Sequence, residues 1–379
     1  MPPLPMVGGE AGEKFCSEWP TGCDCSASLW AFQAEYLMWW TRGRNLPPLV
    51  TTSPDGTPAD QAGVIGQDGT RVLFGDGGIG ERFRSGLRLS ASLALDPSGC
   101  RYLEGRAWGL EDGAVTYAAA SDGSPILTLP FFNAVLDEED AFEIAVPGRT
   151  TAGRVRVSSH NDLFGADATL RELWWTDGCS QLYLLGGYQF TRLDDTLAVD
   201  VSTQVTDPQS ALGVGTRLAF HDSFRTQNTF HGGHLGLMAS ASSGCWDVIA
   251  AGRIALGGMR QRAVVSGRRT TTTANGATQT NDFGFLALPS NIGDYERDRL
   301  AFIPQVDLTA RYHLNDCWKL TLGYSFLYWN NVALGGNQID RNLDLSQTTA
   351  PTGNQPPFFR FRSSDYWAMG LNFGAEYWW

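Results

Sequence analysis

The chain has 379 residues and carries 28 Lys and Arg against 40 Asp and Glu, a formal net charge of −12, which excludes nucleic-acid binding through a basic surface. With 42% hydrophobic and only 18% charged residues it is too apolar for a disordered chain, and no stretch reaches the ~18 consecutive apolar residues of a spanning helix. There are 44 glycines, and of the 28 basic residues only Lys14 and Lys319 are lysine. Arginine is favoured where guanidinium groups make fixed, bidentate pairs away from bulk water.

Alternation with period two runs along the whole chain and predicts ten strands of about nine or more residues. In order they fall at 29–40, 83–95, 101–110, 153–173, 180–193, 224–241, 245–258, 304–314, 318–328 and 367–379. In the second, Phe83, Leu87, Leu89, Ala91 and Leu93 oppose Arg84, Arg88, Ser90 and Ser92. In the ninth, Trp318, Leu320, Leu322, Tyr324 and Phe326 oppose Lys319, Thr321, Gly323 and Ser325. The last puts Trp367, Met369, Leu371, Phe373 and Tyr377 on one face, with Gly370, Asn372, Gly374 and Glu376 on the other. No helical period competes.

The connections alternate too. Short turns rich in Gly, Asp and Asn, such as Asp177-Gly178-Cys179 and Asn315-Asp316-Cys317, follow every second strand. Long segments at roughly 41–80, 111–152, 194–223, 259–298 and 331–361 fill the other gaps, and some hold β-like runs that would extend the strands as hairpins. This pattern predicts an all-β fold, a transmembrane antiparallel up-and-down β-barrel of about ten strands (twelve if a loop hairpin re-enters), with long extracellular loops and short periplasmic turns. A soluble sandwich or lipocalin-like barrel would need an unusually aromatic core. Paired aromatics at strand ends, Trp39-Trp40, Trp174-Trp175 and Tyr377-Trp378-Trp379, suit interfacial girdles instead. The expected organisation is an N-terminal periplasmic tail, 1–28, and the barrel, 29–379. The expected location is the bacterial outer membrane.

The sequence also resembles a family. Phe32-Gln33-Ala34-Glu35-Tyr36-Leu37-Met38-Trp39-Trp40, then Leu46-Pro47-Pro48-Leu49-Val50-Thr51-Thr52-Ser53, Leu286-Ala287-Leu288-Pro289-Ser290-Asn291-Ile292-Gly293, Tyr324-Ser325-Phe326-Leu327-Tyr328-Trp329 and Trp367-Ala368-Met369-Gly370-Leu371-Asn372-Phe373-Gly374 are similar to the putative beta-barrel porin family of bacterial outer-membrane proteins, number seven of its series. The resemblance implies an outer-membrane, porin-like protein, and the terminal Trp379 looks like the signal read by the barrel assembly machinery during insertion. An exported protein also needs a leader. Met1-Pro2-Pro3-Leu4-Pro5 has no basic or apolar leader region, so a removed leader or an upstream start is expected.

The polar face, assigned to the lumen, supplies Glu35, Arg82, Arg84, Arg88, Glu104, Arg106, Asp167, Arg171, Arg253, Asp307, Arg311 and Glu376, with Arg154, Arg156, Asp247 and Lys319 beside them. An Arg on the lipid face would cost about 2–4 kcal/mol at the midplane, which fixes the register. Eight strands are filled by their own side chains and open channels need about 16–18, so ten strands predict a narrow or self-plugged lumen. Pairing of Arg82, Arg84 and Arg88 with Glu35 and Glu104 is expected to form that plug, rather than a domain or a loop. The partners expected are outer-membrane lipid, the assembly machinery and molecules met by extracellular loops, with no nucleic acid. A structural or adhesive scaffold is the alternative to a porin-like role.

Other motifs weigh less. Gly75-Asp76-Gly77-Gly78-Ile79-Gly80 has dinucleotide-loop spacing but is followed by a strand, not the helix that holds a pyrophosphate. His231 and His234, three apart on a strand, point to opposite faces and cannot share a metal; no cofactor is expected. Asp137-Glu138-Glu139-Asp140 could hold Ca²⁺ in a loop, although most acidic runs are solvated. Asp194-Asp195 and His221-Asp222, on neighbouring strands, could activate water as in omptin-type rim proteases. Of seven cysteines, Cys100, Cys179, Cys245 and Cys317 each occupy a short turn, and Cys16, Cys23 and Cys25 precede the first strand. Neighbouring turns are about 10 Å apart, beyond the usual disulfide reach of about 7 Å, so a bridge from the tail to a turn is easier. The odd count leaves a thiol over.

Overall fold

The computed structural model describes residues 29–96, 100–347 and 355–379; the expected tail, 1–28, lies outside them. Ten strands close a ring: β1 Trp30–Thr41, β2 Phe83–Ala94, β3 Arg101–Leu110, β4 Thr150–Thr176, β5 Ser180–Val205, β6 Arg217–Ser243, β7 Trp246–Thr272, β8 Gly293–His313, β9 Trp318–Ala333 and β10 Ser363–Trp378. Each pairs antiparallel with the next. The ring shuts where Ala31 to Thr41 of β1 pair with Trp378 to Ala368 of β10. The extra β-runs of the loops add no eleventh or twelfth member. One of them, Val115–Ser121, instead pairs with the part of β4 that outruns β3.

Strands β4 to β7 have 26 or 27 residues, far more than the 9–11 a tilted strand needs to cross a bilayer. Much of the segment expected as a loop at 194–223 is therefore strand, and the polarity of the two faces inverts along it. Across the membrane band the outward residues are apolar, as Phe164 and Leu170 on β4 or Leu235 and Leu237 on β6, while inward positions carry Asp167, Arg171 and His234. Towards the long loops, Arg154 and Arg156 face outward and are exposed, and Val155 and Val157 are buried inside. The lumen assignment of Arg154 and Arg156 is thus corrected. Outside the membrane the outer face meets water, so the charged residues move to it.

Two rings of aromatics bound the apolar band. Near the turns Trp246 packs on Tyr312 and Trp318 on Tyr377, both at 4.9 Å between centroids. Near the loops Trp40 meets Phe83 at 5.9 Å and Phe164 meets Phe190 at 6.2 Å. Trp30 and Trp40 mark the two edges on β1, about 25 Å apart along the normal for a tilted strand rising about 3.3 Å per residue.

The long loops fold back into the mouth. Val50–Thr52, Arg71–Phe74, Leu127–Asn133, Glu138–Ala145 and Asn342–Leu343 form a small second sheet. Its Leu49, Val50, Leu129 and Phe131 pack in one core with the inward Val157, Val199, Phe224 and Val265 of the barrel wall. The expectation that no loop would help fill the barrel is corrected. Once the wall rises above the membrane, its inner face is apolar and must be covered. Leu235→Arg, in the lipid band and 75% exposed, should destabilise the detergent-folded barrel by about 2–4 kcal/mol. Gln227→Arg, on the same face of β6 but beyond the band, should be near neutral. Equal losses of folded fraction in urea would refute the assigned membrane edge.

Candidate functional site in the barrel interior

Ten strands bring opposite walls within side-chain reach, and the inward charges use it. Arg88 grips Glu35 from the neighbouring strand with Nε at 2.5 Å and a second nitrogen at 3.0 Å. Arg106 on β3 donates to Asp167 on β4 at 2.8 Å and, across the full diameter of the ring, to Asp307 on β8 at 3.2 Å. Arg253 reaches Asp167 at 3.1 Å and lies 3.6 Å from Asp307. Asp307 also accepts from Arg88 at 3.2 Å and from Ser325 Oγ at 2.5 Å. Three guanidinium groups face three carboxylates, and all six residues are buried. Charges taken out of water are tolerable only when paired and hydrogen-bonded in this way.

A second charged layer lies towards the turns. Arg311 pairs with Glu376 at 2.9 Å, and Asp247 meets His313 at 2.7 Å and Lys319 at 3.8 Å. Arg171 sits over the ring of Tyr102 at 4.2 Å with Glu104 at 3.9 Å. A cavity of about 30 Å³ opens among Gln33, Ser92, Arg171 and Arg311.

Above the central charges the interior turns apolar: Leu37, Trp39, Trp108, Phe230, Met259 and Trp329 form one buried cluster, with Trp39 and Trp108 at 5.2 Å. The indole of Trp39 donates to Asn372 at 2.8 Å, Asn372 to Ser325 at 2.8 Å, and Ser325 to Asp307, tying the two layers together. This layer was missed in the sequence because Tyr36-Leu37-Met38-Trp39-Trp40 is apolar at every position. The signal was there: two consecutive Trp on a strand cannot both face lipid.

At the loop end Arg44, from outside the predicted strands, pairs with Asp195 at 2.9 Å, and Asp195 also accepts the Gly335 N–H at 2.7 Å. Asn161 accepts from Arg84 and from Tyr366 Oη, each at 3.0 Å. Arg84 therefore finds an amide and backbone carbonyls, not the expected carboxylates. Arg82 is exposed and precedes β2, so it leaves the lumen set.

Asp222 ends on the inner wall, accepting the N–H groups of Phe285, Leu286 and Ala287 at 3.0, 3.1 and 2.8 Å. Gly284 is required there, because a Cβ would stand 1.9 Å from the Asp222 carboxylate. The rim-hydrolase grouping does not assemble. His221 bonds Asp200 at 2.7 Å on the outer wall, Asp194 pairs with Arg192 outside, and Asp195 and Asp222 are held inside by separate partners. His231 bonds Tyr188 on the outer face and His234 bonds Thr169 inside. Glu139 pairs with Arg341 at 2.7 Å and Asp140 accepts from Asn133 at 3.0 Å, so the acidic run spreads over separate partners. The Gly75–Gly80 segment holds the short strand Gly77–Ile79, paired with Arg44–Leu46. Cys179 and Cys317 are disulfide-bonded and Cys245 is a free thiol; Cys16, Cys23 and Cys25 lie outside the described residues.

A closed ring with an aromatic-bounded apolar band and a charged interior is a porin-like outer-membrane β-barrel. The sequence profile described as putative beta barrel porin-7 (BBP7) matches residues 30–379, and the chain belongs to that family, as its motifs suggested. No curated protein matches it. Among solved structures it is similar to the outer membrane protease OmpT of Escherichia coli, with 9% identity over 92% of this chain and 96% of that one and a TM-score of 0.43. It is also similar to a major outer membrane protein of Thermus thermophilus, with 10% identity over 91% and 99% and a TM-score of 0.21. A third is the Pseudomonas putida toluene transporter TodX, with 9% identity over 92% and 89% and a TM-score of 0.21. Nothing about activity or substrate carries over at these values.

Two outcomes follow from this geometry. Asp307→Ala strands the cations that converge on it and should cost about 3–5 kcal/mol, read as a lower melting temperature in detergent; unchanged melting would show the hub to be dispensable. Burial lifts the Asp222 carboxyl to about 6. A raised acid favours the folded state below its ordinary value of 3.8 and loses that contribution as pH rises through about 6. Amides 285–287 should thus exchange hydrogen faster at pH 7.5 than at pH 4.5, after correction for intrinsic rates, and Asp222→Asn should flatten the difference.

Proposed function

We propose that this barrel is self-plugged, porin-like in family and fold but closed to hydrated solutes, and that it acts through its outer surface and loop end. The observation that carries this reading is the meeting of Arg106 with Asp307 across the ring diameter. The apolar Trp39–Trp108 layer and the loop sheet stacked above it support the same reading. A hydrated ion would have to break buried pairs and then cross an apolar constriction. Partners in this reading are outer-membrane lipid on the girdled band, the assembly machinery at the terminal strand, and molecules met by the loop end. The scaffold alternative is favoured by one feature, the hairpin tip at Val135 and Leu136, which are 65% and 62% exposed. No hydrolytic role is assigned to Asp194, Asp195, His221 and Asp222, which have separate partners on opposite faces of the wall. Protein reconstituted into planar bilayers should give no discrete conductance steps. Arg88→Ala, Arg106→Ala and Arg253→Ala together should lower the melting temperature while leaving the bilayer silent, because the apolar layer remains. Steps from the parent protein would overturn the closed reading.

A further inference from the structure

We propose that the outer wall, above the membrane, carries a groove that binds an extended anionic glycan. This inference does not depend on the state of the lumen. Cross-strand register sets Ala118 beside Arg156, Arg156 beside Asp200, Asp200 beside His221, and His221 beside Arg268. Two residues further from the membrane the same strands place Ala120, Arg154, Ser202, Ala219 and Thr270 in a parallel row. Over these rows lie two adjoining grooves of about 560 and 450 Å³, which share Arg154, Ser202, Ala219 and Thr270; Arg217 lines the second.

The charge is what needs an explanation. Arg154, Arg156, Arg217 and Arg268 are exposed, and among the described residues none has a hydrogen bond or ion pair from its guanidinium. Elsewhere on the outer wall Arg260 is matched with Glu296 at 2.5 Å and Arg192 with Asp194 at 2.8 Å, while Arg225 and Arg299 stand exposed and singly, outside any such cluster. The only carboxylate lining the grooves is Asp200, and His221 Nδ1 already holds it at 2.7 Å. Four unmatched cations gathered on one face of a chain with net charge −12 make a local field that selects anions.

Shape and position narrow the class. Arg156 on β4 and Arg268 on β7 are three strands apart, about 14 Å at 4.8 Å per strand, which fits a repeating polyanion better than one small ion. Small side chains, Ser202 and Ala219 between those strands and Ala118 beyond Arg156, let such a chain lie close to the sheet. The outward positions of both rows hold no Phe, Tyr or Trp, and the one imidazole among them, His221, is tied to Asp200 at 2.7 Å, so the rows lack the broad platform on which successive bases stack. Arg156 stands eight residues beyond Phe164, the last outward apolar residue on β4, about 20 Å above the band for a tilted strand. That is beyond the lipid headgroups, and the polymer best placed to meet it is a surface glycan carrying sulfate, phosphate or carboxylate groups.

The test is titration of the detergent-folded full chain with dextran sulfate and with polygalacturonate, against neutral dextran and a thymidine oligonucleotide. Binding of either acidic glycan that weakens with salt supports the groove. It should fall at least tenfold in Arg154→Ala/Arg156→Ala/Arg268→Ala and stay unchanged in Arg260→Ala/Arg262→Ala, whose arginines lie on the same wall outside the grooves. The single reversal Arg156→Glu gives the same reading should the triple variant fold poorly. Absence of acidic-glycan binding by the parent, equal binding by the groove variants, or equal affinity for neutral dextran or the oligonucleotide would each overturn the proposal.

Discussion

A sheet in hydrocarbon can leave no backbone donor or acceptor unpaired, because no water is there to take it. Everything else in this molecule follows from the closing of the β1–β10 edge. Once ten strands join, the inside is separated from lipid, and the number of strands fixes how far apart opposite walls stand. Here that distance is short enough for an arginine on β3 to reach an aspartate on β8. The interior is therefore built from contacts between walls, not from a lining around a void.

Those contacts are stratified by chemistry. Charges meet near the turns and again around Asp307, an apolar cluster lies above them, and the Arg44–Asp195 and Asn161 contacts sit above that, under the loop sheet. The stratification resolves the difficulty of burying so many arginines. Each central guanidinium has at least one carboxylate, while Arg84, higher up, is satisfied by an amide and carbonyl oxygens. Such a network does not need to stabilise the barrel relative to an apolar filling. It does impose register, since a one-residue slip on any strand would send its charges to the lipid.

The inversion of polarity along β4 to β7 shows the membrane acting as a solvent boundary on one continuous element. The same strand reads polar-in where the outside is lipid and apolar-in where the outside is water. The inner apolar face then recruits the loops, and the Asp222 carboxylate pins one of them through three backbone N–H groups. Sequence reasoning that sends every charged position of the strand to the lumen, whichever face it occupies, misplaces Arg154 and Arg156 for this reason.

Period-two alternation, turn composition and the spacing of aromatics determined the all-β class, the ten strands and the ends at which turns and loops lie, because each is a local property of a strand beside a boundary. The Arg88–Glu35 contact was legible too, since it joins residues of adjacent strands. What the tertiary structure alone decided were contacts between elements that are not neighbours in the ring. Arg106 with Asp307, Trp39 with Trp108 and Arg44 with Asp195 depend on ring diameter, stagger and loop path, which no single strand encodes. The layered interior and the unmatched arginines of the outer wall belong to that second class.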